Sequence, residues 1–278
     1  MKATLREMRV ESGRLLRLRS SWFVLLVLSG ISALRTFISL QTVAGERSGL
    51  GDPLSSGGAW APFVDGWRVG LVLGALLLLG HAARSIAADR EEGLLRLAVT
   101  RSVPRGAIVR GRLALAPLLI LALVFFTGLA SWATAQTGGD FGPFVEDGYE
   151  IFTAEELFRE VRRAVFAILP ALLATYAFGL MISSFFRSAT AALAAALGLF
   201  LGFDLFKEIL GPSRAWVFAN HVPTLSDTSA WSELPNVMRG FSDAGFSDGL
   251  YRSALIGPWP ALLLFLLLSS IVLSRKTL

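Results

Sequence analysis

Cysteine is absent from this chain of 278 residues, which excludes disulfides and thiolate metal sites. Histidine is nearly absent: His81 and His221 supply the only imidazoles and stand far apart in sequence. No Gly-x-x-x-x-Gly-Lys-Ser/Thr phosphate loop occurs, so any use of ATP must come from another chain. His-Glu-x-x-His and Cys-x-x-Cys are missing as well, and no convergent set of catalytic groups stands out. Strands of about ten residues with alternating polarity, the signature of a membrane β-barrel, are not found either.

What the chain has is apolar length. Hydrophobic residues make up 54% of it and the mean hydropathy is +0.60, values that suit a polytopic membrane protein better than a soluble domain. Six segments are apolar over roughly 18 residues or more, about what a helix needs to cross the hydrocarbon core. They lie near Trp22–Leu40, Trp67–Ala83, Leu113–Ala135, Ala164–Phe186, Ala189–Leu210 and Leu255–Leu273. The expected fold is therefore all-α, a single transmembrane domain of six helices. The first segment follows an arginine-rich stretch and lacks a small-residue cleavage site after its apolar run, so it reads as a retained span rather than a signal peptide.

Charge supplies orientation. Sixteen lysines and arginines fall before span 1, between spans 2 and 3, between spans 4 and 5, and after span 6, against five acids in the same segments. The opposite loops hold eight arginines and fourteen acids. The positive-inside rule then predicts both termini in the cytoplasm, which an even span count satisfies. The pI near 10.2 reflects this lipid-facing bias rather than nucleic-acid binding, because the arginines are spread over juxtamembrane segments.

Residues 1–21 form a basic prelude in which Leu5, Met8, Leu15, Leu16 and Leu18 interleave with arginines. Two readings stay open: an amphipathic helix in the headgroup region, or a plain topogenic flank. Gln41–Gly66 reads as an irregular external loop. After span 3, Thr153-Ala-Glu-Glu156 has the capping-box spacing and predicts a helix running into span 4. A tight cytoplasmic turn around Arg187 joins spans 4 and 5. The segment Gly211–Arg252, with residue 253 the external loop 211–253, should carry short helices on the outer face. His221 and its tryptophans read as packing residues there.

Charges inside spans are costly and default to a functional hypothesis. Arg35 lies in span 1, and Asp204, Lys207 and Glu208 lie late in span 5. The alternative is that these groups pair or snorkel at the external headgroups. Asp204 is spaced to share a helix face with Lys207 or Glu208, and it is the exception to test, with Arg35 as a candidate partner. The small residues of Ala189–Gly202 suit a close-packing helix face, either within the chain or between copies.

The most informative stretch is the charged connector between spans 2 and 3, Ala87–Arg112. Glu91 and Gly93 open it, Leu95 and Leu97 follow, and Arg101-Ser102-Val103-Pro104-Arg105 leads to Ala107, Ile108, Gly111 and Arg112. This pattern resembles the cytoplasmic loop of type 2 ABC exporter permeases, the membrane subunits that work with a separate ATPase. The family's loop runs roughly Glu-x-Gly-Thr-Leu-x-Leu-Leu-x-x-x-Pro-Val-Ser-Arg, then a hydrophobic pair and Gly-Lys. Here the proline is displaced two residues to Pro104 and Arg112 replaces the lysine.

The resemblance implies a cytoplasmic coupling helix at residues 87–112. Its ATPase-docking residues would be Glu91, Glu92, Gly93, Leu94, Leu95, Leu97, Arg101 and Arg105. Asp89, Glu91 and Glu92 would start that helix favourably against its dipole, and the leucines with Val99 would form its apolar strip. It implies a bacterial inner-membrane permease, usually dimeric, with no cofactor of its own and with ATP and magnesium on the partner ATPase. Further partners are a second permease copy, membrane lipid and a periplasmic accessory protein; nucleic acid is not among them. Gly211–Arg252 resembles in size and placement the loop of permeases serving maturation of nitrous-oxide reductase, with gliding-motility and drug-export relatives left open. Three other classes compete: a mechanotransmitter working a periplasmic partner, a secondary carrier, and a membrane enzyme.

Overall fold

The computed structural model describes residues 19–50, 58–94, 105–146, 149–224, 226, 228–240 and 247–275. The main helices are α1 (Arg19–Leu50), α2 (Trp60–Glu91), α3 (Arg105–Ala135), α4 (Ala154–Phe185) and α5 (Ala189–Phe206). Two 3₁₀ segments follow, Lys207–Trp216 and Phe218–His221, and then α6 (Ala230–Met238), α7 (Asp248–Ile256) and α8 (Pro258–Arg275). Among the described residues six helices are long and apolar enough to cross a membrane, so the architecture is the all-α, polytopic one that the apolar runs predict.

The spans alternate in direction. The end of α2, the start of α3 and the 186–188 turn lie together at one end of the bundle, the connector end. The opposite, loop end carries an antiparallel hairpin of β1 (Phe144–Glu146) and β2 (Tyr149–Phe152), the 3₁₀ segments, α6 and α7. The hairpin was not foreseen. It occupies the stretch before Thr153, whose hydroxyl accepts from the Glu156 amide at 3.2 Å while Glu156 accepts from the Thr153 amide at 3.0 Å. That capping box starts α4 well outside the apolar run. At about 1.5 Å per residue its 32 residues span roughly 48 Å, more than the about 30 Å of hydrocarbon.

The core is built on α2 and α4. Lipid tails are as apolar as leucine, so helices in a membrane associate by close packing and small residues rather than by a hydrophobic drive. Gly179 shows this: a Cβ there would stand 2.7 Å from Ala82 Cβ and 2.7 Å from the Leu79 carbonyl oxygen. Ala82, Ala83, Ala171, Ala174 and Ala177 are fully buried in the same seam. Toward the loop end tryptophans replace alanines. Trp67 donates to the Val124 carbonyl at 3.1 Å, Trp231 donates to the Ala164 carbonyl at 3.2 Å, and the two rings meet edge to face at 5.2 Å.

Two expectations need correction. Gln41–Gly66 is helical over much of its length, because α1 continues to Leu50 and α2 begins at Trp60. Trp60 anchors that early start by donating to the Gly142 carbonyl at 3.0 Å and packing against Phe141 at 4.8 Å. Span 5 was expected to run as α-helix to Leu210. The α-helix stops at Phe206 and a 3₁₀ segment follows, broken at Gly211 (φ 52°, ψ −129°) just before Pro212.

Candidate functional site

At the connector end, α2 finishes on Glu91 with Glu92 as its C-cap, and Gly93 takes the left-handed conformation (φ 74°) that turns the chain away. The acids expected to start a coupling helix lie at the end of α2, and the segment after Leu94, where that helix would run, falls outside the described residues. Asp89, Glu91 and Glu92 stand at a helix C-terminus, which disfavours negative charge, and two of them find partners on other helices. Asp89 pairs with Arg112 near the start of α3. Glu91 accepts the amide of Ala189, the first residue of α5, at 2.9 Å.

Arg90, which the sequence reading passed over, donates to two carbonyls at the end of α4: Ser184 at 3.3 Å and Phe186 at 2.5 Å. Inside the same junction the Ser183 hydroxyl accepts from the Ile86 and Ala87 amides at 3.0 and 2.9 Å. Leu94 is exposed where the described segment ends. Leu95, Leu97 and Arg101 lie outside the described residues, as do residues 1–18 of the prelude, and Arg105 is the first residue of α3.

The intramembrane charges separate into two sites. Arg35 pairs with Asp65 of α2 at 2.7 Å, and its side chain is 45% exposed. Asp204 therefore does not take Arg35 as its partner. It pairs with Lys207, one helical turn on, at 2.7 Å, with the two side chains 1% and 0% exposed. Lys207 also donates to Thr224 Oγ1 at 3.3 Å, Thr224 donates to the Asp204 carboxylate, and the Ser226 amide donates to its other oxygen at 3.2 Å. Neither group snorkels: both are sealed under the segment that follows α5. Glu208 is exposed and takes no part.

His221 lies beside this cluster, buried, with Nε2 against the Ala215 carbonyl at 2.8 Å. Burial holds its imidazole below the ordinary 6.5; the bond to Ala215 opposes that, and the nearby Lys207 charge adds to it. Also at the loop end, a cavity of about 330 Å³ lies between α4, α6 and α7, lined by Glu156, Arg159, Glu160, Arg163 and Asp248 among others. Its charges compensate one another: Arg163 bonds Glu160 and Asp248, and its guanidinium stacks 4.9 Å from the Tyr251 ring centre. Gly245–Gly249 has the Gly-x-Ser-x-Gly form, but Ser247 caps α7, its hydroxyl accepting from the Leu250 amide at 3.3 Å.

One face of α5, Ala189, Ala192, Ala196, Phe200 and Asp204, is buried in the bundle. The opposite face exposes Ala191, Ala194 and Gly198, and neither Gly198 nor Gly202 has any atom within 4 Å of an added Cβ. A family model described as ABC-2 family transporter protein matches residues 17–273. No curated protein and no solved structure matches the chain.

Proposed function

The chain belongs to the ABC-2 transporter family and is a multi-pass membrane protein, the permease subunit of an ABC transporter; from that premise we propose that it serves an ATP-driven exporter of the bacterial inner membrane. A cytoplasmic ATPase holds the ATP and magnesium and docks on the connector between α2 and α3. Leu94, Leu95 and Leu97 fill a groove on that ATPase, and Arg101 and Arg105 sit at its rim. Both termini and the connector face the cytoplasm. Two copies enclose the path, meeting through the open small-residue face of α5. ATP binding then moves the spans as rigid bodies.

The observation that carries this reading is the connector itself: a basic, leucine-bearing segment whose two ends are continuous with α2 and α3, so a load applied there reaches two spans directly. A docked short helix draws most of its affinity from a few central side chains. Leu95→Asp and Leu97→Asp should release the ATPase, since each buries an unpaired charge, while membrane insertion survives. Co-purification from detergent together with ATP turnover tests this. A full ATPase complement with normal turnover in both variants would refute it.

Mechanotransmission is the second reading. Exposed Tyr149, Ile151 and Phe158 at the loop end favour it, since α4 carries this region past the hydrocarbon. It predicts a soluble protein co-purifying through Tyr149 and Phe158, lost in Tyr149→Lys and Phe158→Lys.

A further inference from the structure

We propose that Arg90 and Glu91 form a charge clamp that carries the ATPase stroke from the end of α2 into the α4–α5 turn. These are adjacent residues of opposite sign, and each meets a helix end of the opposite polarity. The Arg90 guanidinium lies on the carbonyls of Ser184 and Phe186, where α4 ends with partial negative charge. The Glu91 carboxylate lies on the Ala189 amide, where α5 begins with partial positive charge.

Both helix ends lack local means of doing the same. The last turn of α4 contains no basic residue. Ser188 stands at the N-cap of α5 with extended dihedrals suited to capping, yet its side chain makes no cap bond. The capping of both helices has passed to α2. That exchange costs nothing in satisfied backbone groups and gains a mechanical link, because the two helix ends cannot separate from α2 without losing charge-assisted bonds. Ser183 deepens the link by accepting two α2 amides, and the Asp89–Arg112 pair adds α3. Four spans are thus tied at the level where the connector leaves the bundle, and a displacement of Gly93 reaches α5 without passing through lipid.

This inference rests on the permease reading, and the test separates the two. Glu91→Ala removes the clamp on α5 but also its cap; Glu91→Ala with Ser188→Asp restores a local cap and leaves the clamp broken. The absence of cysteine allows a single spin label at Thr190, exposed at the start of α5, to report the distance between the two copies of a dimer.

In the complex with its ATPase, the double variant should recover the thermal stability of the parent and retain a full complement of ATPase. Its ATP turnover relative to the free ATPase should fall roughly tenfold, a coupling change of ordinary size, and the ATP-linked shift of the Thr190 distance should disappear. If the double variant couples as the parent does, Glu91 is only a cap and the clamp is overturned. If the parent chain itself captures no ATPase, the permease reading fails and takes the clamp with it. Arg90→Ala with parent-level turnover and an intact distance shift would also overturn it.

Discussion

Lys207→Met should be among the most damaging single changes available outside the α2–α4 seam. Asp204 and Lys207 are 1% and 0% exposed, so the carboxylate left behind has no route to water or headgroups. It would keep two neutral donors, Thr224 Oγ1 and the Ser226 amide, which do not neutralise it. Breaking a buried pair from one side costs about 3–5 kcal/mol, whereas replacing both members with apolar residues of similar volume is often neutral or stabilising. Lys207→Met alone should therefore lower the midpoint of thermal unfolding in detergent by roughly 10 °C, taking about 2–4 °C per kcal/mol for a chain near this size. Asp204→Leu should do comparable damage, and the double variant should return close to the parent. Tryptophan fluorescence can follow the transition, with Trp231 fully buried near the loop end. A cycle of Arg35→Ala against Asp204→Leu should show no coupling, since Arg35 bonds Asp65 instead. The reasoning is refuted if the Asp204–Lys207 coupling energy falls below about 1 kcal/mol, the level of an exposed pair, or if Arg35 and Asp204 prove coupled.

Gly179→Val should prevent assembly of the bundle, because the added atoms meet the Leu79 carbonyl and Ala82 at 2.7 Å; the check is yield of monodisperse protein beside Gly198→Val, which has open space. Gly198→Ile and Gly202→Ile should leave the monomer folded and shift a dimer to monomer in light scattering, if the open face of α5 is the seam. Reporter fusions at Ser226 should read external and at Arg101 internal, and an internal Ser226 would remove the six-span orientation. Because burial depresses the His221 imidazole, the unfolded chain takes up a proton at about 6.5 that the folded chain refuses. Stability should be full above that pH and decline as pH falls below it, and His221→Gln should flatten the decline in thermal unfolding.

The spans were legible because their signal is length and hydropathy, which no tertiary contact overrides. Helix ends were legible only where the cap is local. Thr153-Ala-Glu-Glu156 announces the start of α4 from four consecutive residues, and the structure forms both reciprocal bonds. The start of α2 could not be read that way, because Trp60 is held by Gly142 and Phe141, some eighty residues along the chain. The hairpin escaped for a similar reason: Phe144 and Phe152 are set against the core by the loop end as a whole.

The candidate site shows the same division between local and distant partners. Asp204 was findable on its own helix: Ala192, Ala196, Phe200 and Asp204 recur every fourth residue and trace the buried face of α5. Its true partner lay within one turn at Lys207, while Arg35, chosen for its opposite charge within the membrane, belonged to Asp65. For Asp89, Glu91 and Glu92 a local argument saw only the segment that follows them. Three acids in four residues look like a helix start, and they also close α2. That placement is tolerable because Asp89 and Glu91 are turned outward to Arg112 and to the first amide of α5. An acid at the wrong end of its own helix is thus evidence of a partner elsewhere. The same inference, applied to the unused Ser188 cap, leads from α5 back to Glu91 and makes the α2 terminus, rather than the connector loop alone, the place where the spans are joined.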